Sequence, residues 1–177
     1  IKENLKTLRN KTLFSLMLYT GFRISEILSI KVIDVRDKER LTVSRANMKG
    51  KISSRSILIH PIVKFLIASL IDESKLIDTN YLFSTKNSPM KPISRIRAWK
   101  ILNDAAKKAG LSNKIGLHST RKTFANEMYE KLGKDLLKTS KALGHRNINS
   151  TISYLSFKTE EIDKAILSME EKWINLK

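Results

Sequence analysis

Residues 143–155, LGHRNINSTISYL, set a histidine directly after a glycine and a tyrosine nine positions beyond it. Upstream, LHSTRKTFA (117–125) places His118 and Arg121 three apart, so a helix there presents both on one face. Nearer the start, TGFRISEIL (20–28) puts Arg23 at the head of a helix just after a glycine turn. MKGK (48–51) puts Lys49 in a polar, basic loop (46–54) between two expected strands. These are the parts that metal-free phosphodiester cleavage demands. Arginine grips phosphate oxygens with a planar fork that stays charged. Histidine or lysine moves protons. Tyrosine forms a covalent link, because a phenolate attacks and leaves more readily than an alkoxide.

Taken singly, each residue has a plainer use. Arg23 could cap a helix, Lys49 and Lys51 could be solvated loop charges, and His118 could be an exposed helix-start residue. His145 could cap a helix C-terminus, and Tyr154 could pack beside Ile152 and Leu155. All those plain readings must hold together, although two of only three histidines fall in the pattern. Tyr19, Tyr81 and Tyr129 lack such company, and His60 before Pro61 reads as structural.

In order and spacing these residues resemble the tyrosine recombinases, including phage-type integrases. That family shows a glycine-turn Arg, a hairpin Lys, a His-x-x-Arg helix, a Gly-His pair and a Tyr nine residues later. The resemblance spans about Leu13 to Leu155. It implies that Arg23 and Arg121 clamp the scissile phosphate and that Lys49 is the general acid for the leaving 5′ oxygen. It implies that His118 assists proton transfer at the tyrosine, that His145 donates to a phosphate oxygen, and that Tyr154 is the nucleophile. Glu26 would orient neighbouring groups. The expected reaction is transesterification through a 3′-phosphotyrosyl link, with no cofactor, no metal and no ATP. Two departures stand out. Ser119 and Thr120 replace a usual Asp-Leu pair, and Lys122 stands where His is frequent. Lys51 is an alternative to Lys49 as the acid.

Composition agrees with a polyanionic partner. The chain has 177 residues with 34 Lys plus Arg against 17 Asp plus Glu, a net charge of +17. Clustered cations of this kind neutralise phosphates and release counterions. Zero cysteines exclude disulfides and thiolate chemistry, and the histidines lack zinc-motif spacing. No apolar run approaches the roughly 20 residues of a membrane span. Double-stranded DNA is the expected partner, a membrane is not, and a cytoplasmic location is expected. Self-association on DNA, as a tetramer in the full-length synaptic complex, is implied by the resemblance.

Helices are expected over 3–20, 24–31, 61–71, 92–109, 119–132, 135–143, 148–155 and 160–173. Strands are expected over 32–35, 40–45 and 55–59. The fold class is α+β: a mostly helical single domain with a small three-stranded antiparallel sheet, the architecture of a DNA breaking-rejoining core. Residues 1–158 would form that domain and 159–177 an amphipathic tail. Ile162, Ala165, Ile166, Met169 and Trp173 make one apolar stripe there. The tail is net −2, so residues 1–158 carry +19. It could pack on its own domain or dock on a neighbouring protomer. The first residue is Ile1, and the chain is expected to be the catalytic half of a longer protein. An integrase of a phage or mobile element is the expected setting. A type IB topoisomerase-like nicking-closing enzyme and a non-catalytic DNA-binding module are the alternatives.

Overall fold

Helix α1 (Leu8–Thr20) starts where the Thr7 hydroxyl accepts from the Asn10 amide at 3.2 Å, and it stops at Gly21, whose φ of 58° is left-handed. The expected helix over 3–20 is therefore split. A 3-10 turn over Lys2–Asn4 precedes it, because the Thr7 cap satisfies a free amide more cheaply than continued winding. Gly21 is demanded twice: its backbone is left-handed, and a Cβ there would overlap the Phe124 ring. This computed structural model describes residues 1–43, 54–85, 87–111, 115–145, 147–155 and 159–168.

Helix α2 (Ile24–Leu28) follows at once, its first turn pinned by the Arg23 amide donating to Glu26 Oε2 at 2.6 Å. Residues 32–35, expected as a strand, instead hold a 3-10 turn over Val32–Asp34. The Asp34 carboxylate accepts from the Lys31 amide at 2.8 Å, a local bond that outcompetes extension despite the β-branched run. The backbone amides of Val32 and Ile33 donate to the carbonyls of Asn80 and Asp78. The α+β class holds, but among the described residues the sheets are two-stranded rather than three-stranded. Strands β1 (Arg40–Val43) and β2 (Arg55–Leu58) pair antiparallel, with Arg40 opposite Leu58 and Val43 opposite Arg55. A second two-stranded ladder joins β3 (Ser84–Thr85) to β4 (Ser88–Pro92).

Helix α3 (Pro61–Glu73) begins with proline at its first turn and the His60 side chain as cap. Its Val63, Ile67, Leu70 and Ile71 are buried. Helix α4 (Arg95–Lys108) starts three residues later than expected, because Ser94 accepts from the Arg97 amide and Pro92 closes β4. Then come α5 (Leu117–Lys131), α6 (Leu136–Leu143), α7 (Asn149–Ile152) and α8 (Thr159–Leu167). Ile162, Ile166 and Leu167 of α8 are exposed, while the expected stripe members Met169 and Trp173 lie outside the described residues.

The interior has two parts. The larger joins Leu13, Leu16 and Met17 of α1 to Val63 and Ile67 of α3, Leu82, Phe83, and Ala98 and Leu102 of α4. Each fully buried large side chain contributes about 1.5–3 kcal/mol of hydrophobic transfer. The smaller joins Phe124 and Ala125 of α5 to Leu143 and Leu155. Ile57 of β2 touches both.

Candidate active site

The site forms where the N-terminal half of α5 crosses the end of α1. Arg121 is only 1% exposed, the largest fully buried side chain in the molecule's described part. Its Nη1 donates to the carbonyl of Gly21, while Nη2 donates to the carbonyl of Leu143 at 2.9 Å and meets His145 Nε2 at 2.8 Å. Its Nε–H has no acceptor among the described residues. The fork thus ties the α1 turn to the end of α6. Burial lowers the pKa of Arg121, and the nearby Arg23 lowers it further, while Tyr154 and Glu26 oppose the shift. Arginine titrates so high that it stays charged, and its bonds offset part of the desolvation cost.

Arg23 arrives from the turn that Gly21 makes possible. Its guanidinium is about one-third exposed and lies 3.5 Å from the buried Glu26 carboxylate. Glu26 therefore holds Arg23 twice, once through the backbone amide and once through the side chain.

Helix α6 ends at Gly144 in a left-handed conformation (φ 64°), which turns the chain so that His145 faces Arg121. The other ring nitrogen, Nδ1, lies 2.9 Å from the hydroxyl of Thr151, which is fully buried. Three residues after Thr151, in the turn that follows α7, Tyr154 is half-buried. Its hydroxyl is 3.3 Å from His118 Nδ1, and its ring centroid stands 5.5 Å from that of His145. The Arg121 Cζ lies 5.6 Å from the Tyr154 ring centroid, within cation–π range. Arg23, Glu26, His118, Arg121, His145 and Tyr154 are thus brought to one place, although they span most of the sequence. Lys49 and its alternative Lys51 lie outside the described residues.

The remaining tyrosines and His60 sit elsewhere. His60 caps α3 and its ring lies 4.6 Å from that of Tyr19, Tyr81 lies beneath the Lys31 ammonium, and Tyr129 packs against the smaller core. Among the described residues, no group of three or more His, Asp or Glu side chains could hold a metal ion, and no helix is long and apolar enough to cross a membrane.

Sequence reasoning missed two contributors. Arg55 of β2 is buried, with its Cζ 4.4 Å from the centre of the Phe22 ring and 5.8 Å from that of Phe124, and it donates to the carbonyl of Thr20. It fastens the hairpin strand to the turn that carries Arg23. Nothing in the sequence pattern marks it as buried. Thr151 is the other, and its only sequence signal is a position three residues before Tyr154, on the same helical face.

With this geometry in view, the comparisons with known proteins are specific. Residues 1–161 match the profile described as Phage integrase family. The chain is 35% identical over 150 residues to the probable integrase/recombinase YoeC of Bacillus subtilis, covering 85% of this chain and 78% of YoeC. It is 29% identical over 164 residues to the tyrosine recombinase XerH of Campylobacter jejuni, covering 90% of this chain and 44% of that protein. Among solved structures, XerH bound to a palindromic difH substrate in a post-cleavage complex superposes with a TM-score of 0.77 at 23% identity, over 94% of this chain and 48% of that one. XerA recombinase gives 0.75 at 22% identity, over 97% and 62%. At such identities the structural likeness establishes the fold. The chain spans about half the length of the Xer relatives it matches.

Proposed function

Because this chain belongs to the phage integrase family, we propose that it is the catalytic portion of a tyrosine-type site-specific recombinase acting on double-stranded DNA. The observation that carries the reading is the meeting of the Tyr154 hydroxyl with His118, beside the Arg121–His145 pair. The Tyr154 oxygen attacks phosphorus, its proton passes to His118, and the bond to the 5′ oxygen breaks. Lys49 protonates that leaving oxygen. Arg23 and Arg121 balance charge on the non-bridging oxygens, and His145 donates to one of them. The 3′-phosphotyrosyl link keeps the bond energy, and a 5′ hydroxyl from a partner DNA reverses the step. Positioning and fixed charge supply most of the acceleration.

Arg121 is almost wholly covered, with Tyr154 over it. A phosphate reaches the guanidinium once the tyrosine ring swings aside, and the free Nε–H is then a ready donor. The net charge of +17 favours DNA and makes the binding salt-sensitive. Residues 1–158 act as the breaking-rejoining domain and 159–177 as a tail, whose exposed Ile162, Ile166 and Leu167 dock on a neighbouring protomer in a tetrameric synapse. An integrase of a phage or mobile element fits the match of residues 1–161 to the phage integrase family.

The test is a nicked suicide DNA carrying the attachment site, incubated with the protein at low salt in the presence of chelator and absence of ATP. A protease-sensitive protein–DNA band on a denaturing gel, lost in Tyr154→Phe, is expected. Intact DNA binding with no band at the correct site would refute the enzyme and leave a DNA-binding module. Relaxation of supercoiled plasmid without strand exchange would point instead to a nicking-closing enzyme.

A further inference from the structure

We infer that Thr151 is a positioning residue that holds His145 as its Nδ1–H tautomer, so that Nε2 becomes the acceptor for Arg121. The inference deepens the proposed function, since it concerns the same site. It follows from what each group is able to donate. A guanidinium has five N–H donors and no acceptor. Arg121 Nη2 carries two hydrogens, and two partners stand within reach: the Leu143 carbonyl at 2.9 Å and His145 Nε2 at 2.8 Å. Were Nε2 protonated, two donors would face each other at that distance. Nε2 therefore carries a lone pair, and in a neutral ring the proton sits on Nδ1. The Thr151 hydroxyl, 2.9 Å from Nδ1 and fully buried, accepts that proton's hydrogen bond.

A hydroxyl could serve either tautomer, since it both donates and accepts. Arg121 removes that freedom on one side of the ring, and Thr151 answers on the other. The neutral ring then has no N–H to offer a phosphate oxygen. It gains one only by taking a second proton at Nε2, after Arg121 Nη2 has turned to the incoming phosphate. Thr151 accepts from Nδ1–H in both protonation states, so the ring keeps its orientation while its other face changes from acceptor to donor. Because Thr151 lies one helical turn before Tyr154, the segment that carries the nucleophile also aims the histidine.

The experiment labels histidine with 15N in the 177-residue chain and reads the tautomer of His145 from long-range 1H–15N spectra, at a pH of about 8 where an ordinary imidazole is neutral. The wild-type protein and Thr151→Ser are expected to give the Nδ1–H pattern, and Thr151→Val a mixture with Nε2–H. In the suicide-substrate assay at saturating DNA, Thr151→Val should slow covalent capture roughly tenfold, the size expected from one buried hydrogen bond. Thr151→Ser should restore the rate, and DNA affinity should hold in both. An Nε2–H pattern in the wild-type protein overturns the inference, as does an unchanged pattern in Thr151→Val. If the valine variant does not fold, the wild-type and serine spectra decide alone. The spectra need no activity, so absence of a covalent band in the wild-type protein would strike the recombinase reading and leave this one separately judged.

Discussion

Arg121 and Gly21 stand 100 residues apart in sequence, and the guanidinium of one donates to the carbonyl of the other. The glycine is therefore more than a helix stop. Its left-handed turn aims a carbonyl at the buried cation and leaves room for the Phe124 ring. Gly21→Ala forces a side chain into a left-handed backbone, which costs about 1–3 kcal/mol, and adds overlap with the ring. Chemical denaturation should register at least that loss, and covalent capture of suicide DNA should fall with it.

Arg121→Lys keeps the charge and abandons the fork. One ammonium cannot reach Gly21, Leu143 and His145 in the planar arrangement that they require. Cleavage should drop by about 10²–10³-fold, the range seen when one preorganised charge-stabilising donor is removed. Orphaned carbonyls should lower stability by about 1–3 kcal/mol. Single-turnover kinetics and a melting curve check both.

Arg55→Met fills a similar volume and removes the cation held against Phe22 and Phe124. Loss of a desolvated cation–π contact is worth about 2 kcal/mol. The hairpin should then loosen from the Thr20–Gly21 turn, so cleavage is expected to fall more than DNA affinity. Equal losses in both, measured by gel shift and suicide substrate, would contradict the role.

Asp135 caps α6, and its pKa lies below the ordinary carboxylate value. The Lys138 backbone amide is the main cause, helped by the Lys138 ammonium at 3.3 Å. A pKa depressed by folding contributes stability that is complete above the unfolded value of about 3.9 and lost as pH falls through the lower folded value. The melting temperature of Asp135→Asn should therefore trail the wild type near neutrality and converge with it in acid.

Much of this site was legible because its parts are chemically uncommon and ordered. Two scarce histidines at fixed distances from an arginine and a tyrosine leave few plain explanations. Helix periods and the glycine turn at Gly21 were readable for the same reason, since local chemistry decides them. Tertiary competition was less readable. Val32, Ile33 and Val35 look like strand, yet Asp34 turns them by capturing the Lys31 amide. Pro92 looks like a helix start, yet it closes a strand paired with Ser84. Arg55 looks like a surface charge on an alternating strand, and only packing between two aromatic rings reveals it as interior. Thr151 was invisible because a single hydroxyl gains meaning only from the ring that it touches.

The two-part interior has a consequence for how the molecule moves. Arg121 bridges Gly21, at the edge of the larger core, and Leu143, in the smaller one. Among the described residues the smaller core has four buried hydrophobic members against the many of the larger one, so it can open at a lower free energy than the whole fold. Amide exchange in α6 and α7 should then be faster than in α1 and α3. Each such opening dissolves the site without unfolding the protein. On the proposed function, the fraction of molecules ready to react should follow this docking equilibrium, and a duplex that clasps α6 and α7 against α1 should raise it.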